Sequence, residues 1–160
     1  MQQAHAQGII RIAAPEDATA VTLLINLAFQ VEKFFIDGDR ITLDQVRALM
    51  AKGEFLLLDS GAGLAGCVYV EKREEHAYLG LLSVDPAVQG SGAGSRLMTA
   101  AEERARSLGC RCMDLNIVNL RDELPAFYSR RGYSHVGDAP FPPDAPTKLP
   151  CHFLKMSKTL

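Results

Sequence analysis

The chain has 160 residues, of which 48 % are hydrophobic and 22 % charged, about one globular domain by length and too apolar to be mainly disordered. Its 17 Lys and Arg stand against 19 Asp and Glu, a formal net charge of −2, which leaves no large positive field for nucleic acid or an anionic membrane surface. No uncharged apolar stretch approaches the roughly 20 residues that cross a bilayer. The start, Met1-Gln2-Gln3-Ala4-His5, lacks the basic and apolar regions of a signal peptide, so the expected location is the cytoplasm.

In chain order, Gly8 to Ala13 is an apolar run around Arg11 and is expected to be a strand. Pro15-Glu16-Asp17 opens a helix, with Pro near its first position and acids in its first turn. Ala18, Val21, Ile25 and Ala28 share one face of it. Phe34-Phe35-Ile36 reads as a short helical piece before a turn at Asp37-Gly38-Asp39-Arg40. Thr42 and Gln45 form a capping box for a helix that Gly53 would end at its C-cap. Strands follow over Glu54 to Asp59, Leu64 to Glu71 and His76 to Val84, joined as an antiparallel meander. Asp85-Pro86 breaks the last of them, and a glycine-rich loop leads into a helix ending near Leu108. Leu97, Met98, Ala101, Ala105 and Leu108 are its core stripe, with Glu102, Glu103, Arg104 and Arg106 as its solvated side. Cys112 to Val118 is a strand, Glu123 to Arg131 a helix stopped by Gly132, and Tyr133 to Gly137 a strand. The proline-rich segment Asp138 to Pro150 reads as a loop, and Cys151 to Ser157 as a final strand. No repeat or linker divides the chain, so residues 1–160 are expected to form a single domain.

Cys67, Cys110, Cys112 and Cys151 are scattered, with no Cys-x-x-Cys pair and no ligands at zinc-knuckle spacing. They read as free thiols in a reducing compartment, so neither a metal site nor a disulfide is expected.

The informative motif is the loop after the fourth strand. Gly90, Gly92 and Gly94 strip side chains from a turn that precedes a helix, so backbone N–H groups can converge on an anion at the positive helix end. A diphosphate suits that arrangement. A P-loop would need a Lys after the last Gly, and none is present. A dinucleotide fingerprint would place its third Gly one residue later and open a parallel sheet.

The pattern Gln89-x-x-Gly92-x-Gly94, after Leu82-Ser83-Val84-Asp85-Pro86, resembles the acetyl-CoA-binding motif of the GNAT superfamily of N-acetyltransferases. A second segment, Asn119 followed by Phe127-Tyr128-Ser129-Arg130-Arg131-Gly132-Tyr133, is similar to that superfamily's Asn…Phe-Tyr-x-x-x-Gly-Phe/Tyr stretch. The interval from Asn119 to Tyr128 is slightly longer than in most members. The resemblance implies an α/β (α+β) fold, with a mixed, largely antiparallel sheet of six or seven strands flanked by helices. It implies transfer of an acetyl group from acetyl-CoA to an amine of a small molecule or protein, by direct attack in a ternary complex and without a metal. It implies that Gln89, Gly90, Ser91, Gly92, Ala93, Gly94 and Ser95 hold the diphosphate. Backbone groups of Leu82, Ser83 and Val84 would align the pantetheine arm, Asn119 would contact the cofactor, and Tyr128 would be the general acid for the leaving thiolate. Phe127, beside Tyr128, would be the core residue of the pair. Arg96 has a CoA phosphate and a plain helix surface as its two readings, and Arg130 and Arg131 read as solvated helix-end cations.

The base is less defined. Glu75 and His76 fall near the start of the strand before the glycine loop; His76 titrates near neutrality when unperturbed, and its other reading is an exposed strand end. Glu71 and His152 are further candidates, while His5 and His135 are expected to play no part. Acceptor specificity is expected from the segment after the first helix. There Phe34 and Phe35 could pack an apolar acceptor, Asp37 or Asp39 hold an ammonium, Arg40 hold a carboxylate, and Thr42 add to its capping role. The proline-rich loop, with Lys148, would form the opposite wall. The superfamily's habit makes a homodimer one expectation for partners. Two rival readings on the same residues are a longer acyl-CoA donor and a CoA-binding module without turnover.

Overall fold

Side chains that alternate along a strand face opposite sides of a sheet, and here the alternation sorts two cores. The computed structural model describes residues 8–160, so His5 lies outside the described residues. Its strands are β1 (Ile9–Ile12), β2 (Glu54–Asp59), β3 (Leu64–Arg73), β4 (His76–Val84), β5 (Cys112–Val118), β6 (Ser134–Pro140) and β7 (His152–Thr159). Its α-helices are α1 (Ala18–Ala28), α2 (Leu43–Lys52), α3 (Ala93–Ser107) and α4 (Leu124–Arg130). The strands form one seven-stranded sheet in the order β1-β2-β3-β4-β5-β7-β6. Every neighbouring pair is antiparallel except β4–β5, which is parallel and connected through α3. Leu56, Leu58, Val68 and Val70 pack against Leu97, Met98 and Ala101 of α3 and Tyr128 of α4. Phe55, Leu57, Cys67 and Tyr69 pack the other way, against Val21, Leu24 and Ile25 of α1 and Val46 of α2.

Local chemistry explains the ends of these elements. Thr42 Oγ1 accepts from Gln45 N at 3.2 Å and Gln45 Oε1 from Thr42 N at 2.9 Å, the capping box expected for α2. Arg11 reaches Asp17 at 2.8 Å and Asp59 at 3.1 Å, clasping β1 to β2 and to the start of α1, and its guanidinium holds Asp17 below the usual carboxylate range.

Several expectations are corrected. Gly53 is the C-cap of α2 as expected, but its backbone is extended and not left-handed; a Cβ there would sit 2.6 Å from Val70 O and 2.7 Å from the Tyr69 hydroxyl, so close approach requires glycine. The helical piece after α1 lies earlier, as a 3₁₀ turn over Phe29–Glu32. β6 runs on to Pro140, which an edge strand tolerates, so the proline-rich loop begins after it. Arg131 is half-buried, with its Nη2 on Thr99 at 3.1 Å, and is not a solvated cation.

Glu102 is the largest correction. It is only 5 % exposed and accepts hydrogen bonds from the Tyr133 hydroxyl and from Lys158 Nζ, both at 2.9 Å. The helical period places Glu102 beside the core stripe but cannot show partners 31 and 56 residues away. Replacing Tyr133 with Phe removes one of two bonds to a buried carboxylate. That substitution is expected to lower stability by about 2 kcal/mol, on the scale of hydrogen bonds to charged groups. A thermal melt checks it, with a fall in Tm of roughly 4–8 °C for a chain of this size.

Candidate functional site at the opening between β4 and β5

β4 and β5 pair only through His76–Tyr78 and Cys112–Asp114. Beyond that point β5 stays with β7, from Cys112↔Thr159 to Val118↔Phe153. β4 turns away with β3 through a bulge. Cys67 pairs with Ser83 and Tyr69 with Gly80, so Leu81 and Leu82 both stand opposite Val68. Leu81 takes a left-handed φ of 55°, which costs a non-glycine residue roughly 1–2 kcal/mol. Ser83 Oγ bonds the Leu81 carbonyl at 2.9 Å and steadies the bend. From Leu79 to Val84 the β5-facing edge of β4 therefore has no strand partner.

That edge runs directly into the glycine loop. Asp85 Oδ1 accepts from Ala87 N and caps a 3₁₀ turn over Pro86–Val88. Gly90 and Gly92 follow with left-handed φ of 82° and 88°, and nothing lies within 4 Å of a Cβ built at either. These two glycines are needed for the turn. Gly94 has ordinary helical backbone in α3 and instead packs near Phe127 and Val84. The amides of Gly92, Ala93, Gly94 and Ser95 make no hydrogen bond among the described residues, as the first turn of a helix leaves them. They point the positive end of the 15-residue α3 out of the loop.

α4 places Tyr128 in the core cluster that holds Ile117 of β5 and against which Leu82 and Val84 of β4 pack. Tyr128 is 5 % exposed, and Phe127 is the less buried of the two, the reverse of the expected order. Tyr128 packs edge-on to Phe127 and Tyr133 at ring separations of 5.1 and 5.8 Å. Its hydroxyl makes no hydrogen bond among the described residues, yet it is not sealed off. Burial pushes its phenol up to about 12, with Arg121 opposing.

Arg121, in the turn between β5 and α4, joins this side to the α1 side. Its Nη1 meets Glu32 Oε2 at 2.9 Å and its Nε meets Glu123 Oε1 at 2.6 Å. Glu32 is 8 % exposed, and burial raises its carboxyl above the ordinary range despite the guanidinium.

The other expected residues separate into groups. Leu82, Ser83 and Val84 lie on the free edge of β4, and Gln89 to Ser95 form the loop and the start of α3. Asn119 stands at the end of β5; its Oδ1 accepts from His152 N at 2.8 Å, binding β5 to β7. Phe34 is 53 % exposed, whereas Phe35 is fully buried beneath it. Arg40 stacks on Phe29 at 5.4 Å, and Thr42 is committed to its cap. His76 lies at the paired end of β4, about 16 Å along the strand from the bulge at ~3.3 Å per residue. There it is exposed and bonds Asp114 at 2.7 Å, so the fold does not bring it together with Tyr128. Glu71 is occupied by Tyr69 and Arg73.

The two expected walls meet in a short seam. Ile36 bridges Thr147, Asp37 N donates to the Pro146 carbonyl at 3.0 Å, and Lys148 N donates to the Phe35 carbonyl at 2.6 Å. Lys148 Nζ adds bonds to the Lys33 carbonyl and Asp37, both at 3.1 Å.

With this geometry in place, comparison with known proteins is direct. The sequence profile of the acetyltransferase (GNAT) family matches residues 23–133, and the chain belongs to that family. Blasticidin-S acetyltransferase from Streptomyces morookaense is 34 % identical over 92 residues, covering 57 % of this chain and 64 % of that relative, so the match spans under two thirds of the relative's length. Ard1 from Thermoplasma volcanium superposes with a TM-score of 0.79 at 20 % identity, over 96 % of this chain and 97 % of that one. The yncA protein from Salmonella typhimurium, solved with its cofactor acetyl-CoA, gives 0.73 at 18 % identity, over 95 % of this chain and 93 % of that one. The two structures establish the likeness of fold.

Sequence reading missed Glu32, Arg121 and Leu81. Glu32 and Arg121 look like ordinary surface charges until a contact across 89 residues is known, and a leucine at a bulge carries no local mark.

The phenols give a check on the site's burial. Tyr128, Tyr69 and Tyr133 are all raised above the ordinary value of about 10. The folded protein thus keeps protons that the unfolded chain releases, and stability falls as pH rises above about 10. Phenolate absorbance at about pH 11 is expected to show these three still protonated in the folded protein and ionised after denaturation.

Proposed function

We propose that this protein is a single-domain, cytoplasmic N-acetyltransferase that moves an acetyl group from acetyl-CoA to a primary amine of a small molecule or protein, by direct attack in a ternary complex. One observation carries the reading: an unpaired strand edge runs into free amides at a helix start, and an unpartnered buried phenol packs in the same core cluster as that edge. Each meets a different need of the reaction. The loop Gln89 to Ser95 holds the diphosphate through the free amides of Gly92 to Ser95, with Gly90 and Gly92 letting the backbone turn toward it. Main-chain groups of Leu82, Ser83 and Val84 pair with the pantetheine amides as an additional strand would. Asn119 has its amide nitrogen left to contact the cofactor.

Tyr128 donates to the departing sulfur. A phenol raised to about 12 is protonated at any working pH, so the donor is always loaded. On the acceptor side, Glu32 and Glu123 share the guanidinium of Arg121, with Arg40 also acting on Glu32, and offer carboxylate oxygens to an ammonium. Phe34 and Arg40 form the rim past which an acceptor enters. The blasticidin-S acetyltransferase similarity makes blasticidin S the first acceptor to test.

Thermal unfolding with acetyl-CoA, CoA, NAD and ATP tests the cofactor. Acetyl-CoA and CoA are expected to stabilise by about 2.7 kcal/mol at 100 times Kd, and NAD and ATP to leave Tm unchanged. A shift with NAD or ATP alone overturns the reading. Tyr128→Phe is expected to keep the acetyl-CoA shift and lose roughly 10²–10⁴-fold in kcat, read as free thiol released with blasticidin S.

A further inference from the structure

Tyr78 is the last residue of β4 to pair with β5, opposite Asp114. Gly80 follows two residues on, on the same face of the strand. A Cβ built on Gly80 would lie 2.9 Å from Tyr78 Cε2 and 3.1 Å from its hydroxyl oxygen. The ring therefore lies forward along β4, and its hydroxyl end reaches past the last β4–β5 pair into the opening. Arg73 holds the ring from its face, with its guanidinium carbon 4.2 Å from the centroid, and Glu71 anchors Arg73 at 2.6 Å.

The chain has four tyrosines. The Tyr69 hydroxyl bonds Leu49 O and Glu71, and the Tyr133 hydroxyl bonds Glu102. Those of Tyr78 and Tyr128 make no hydrogen bond among the described residues. They approach the opening from opposite faces of the sheet. Tyr78 packs against the α1 cluster, as does Phe29, where the acceptor-side segment begins, and Tyr128 packs with the α3 cluster. The two are near enough that Tyr78 raises the Tyr128 phenol further.

We infer that Tyr78 positions the attacking nitrogen: its hydroxyl oxygen accepts an N–H of the acceptor amine on the α1 face, aiming the lone pair at the thioester carbonyl. This rests on the acetyltransferase reading above. The C–N bond forms as the C–S bond breaks. The sulfur takes a proton from the Tyr128 hydroxyl, and the proton shed by the nitrogen returns through solvent to restore that phenol. Tyr78 forms no covalent bond. Gly80 is part of the device, because any side chain there displaces the ring.

Tyr78→Phe keeps the ring under Arg73 and over Gly80, so the fold is preserved. The probe reaction is acetyl-CoA with blasticidin S, or with another primary amine that the wild type turns over where blasticidin S is not taken. The expected result is a fall in kcat of tenfold or more, with the Tm of the free protein and its shift with acetyl-CoA both equal to wild type. Gly80→Ala leaves the phenol present but pushes it aside, and is expected to reproduce the loss. Wild-type turnover in either variant overturns the inference, as does a loss that comes only with a lowered Tm and a lost acetyl-CoA shift. Absence of any acetyl-CoA shift in the wild type overturns the acetyltransferase reading and this inference with it. A normal shift with normal Tyr78→Phe turnover overturns this inference alone.

Discussion

β4 and β5 run parallel, start together and separate after three paired residues. β5 is held along its whole length by β7, and β4 is pulled the other way by β3 once Val68 has to face both Leu81 and Leu82. The left-handed Leu81 is a local cost of order 1–2 kcal/mol, set against a seven-stranded sheet. What it leaves is an edge of main-chain groups inside the molecule, where such groups ordinarily find partners. The rest of the site is arranged around that edge: the loop at its end, α3 leading away from it, and α4 closing the far side.

Polar groups near the opening divide by whether the fold has already satisfied them. Tyr69, Tyr133 and Glu102 are fully engaged and hold elements together. Asn119 is engaged by one atom, tying β5 to β7 at the point where the opening is widest. Tyr78 and Tyr128 are held by packing of their rings while their hydroxyls stay uncommitted. A ring fixed by its neighbours presents its oxygen at a set position without spending the hydrogen bond that the chemistry needs.

Much of this was legible in the sequence, for reasons that can be named. β4 and β5 were readable at both ends because Pro86 and Gly109 with Cys112 bound them, and strand periods of two are strong signals. Thr42 and Gln45 announce α2 because a capping box is a contact between near neighbours. The glycine loop was readable because only glycine takes the φ that Gly90 and Gly92 adopt without strain. What stayed hidden depends on distant partners. Glu102 reads as a surface residue until Tyr133 and Lys158 are placed beside it. Gly53 reads as a helix cap and is one, but the close approach of β3 that also requires glycine there is hidden. Tyr128 and Phe127 are adjacent aromatics whose order of burial is decided by how α4 lies on α3, which no local pattern records.

The seam between Ile36 and Thr147 also couples two segments that lie far apart along the chain. The 3₁₀ turn and the stretch behind it are bonded to the proline-rich loop through the backbones of Phe35, Asp37, Pro146 and Lys148. An insertion on either side shifts the register of the other. The two segments therefore act as a matched pair: replacing one alone breaks the seam, whereas replacing both together keeps its register.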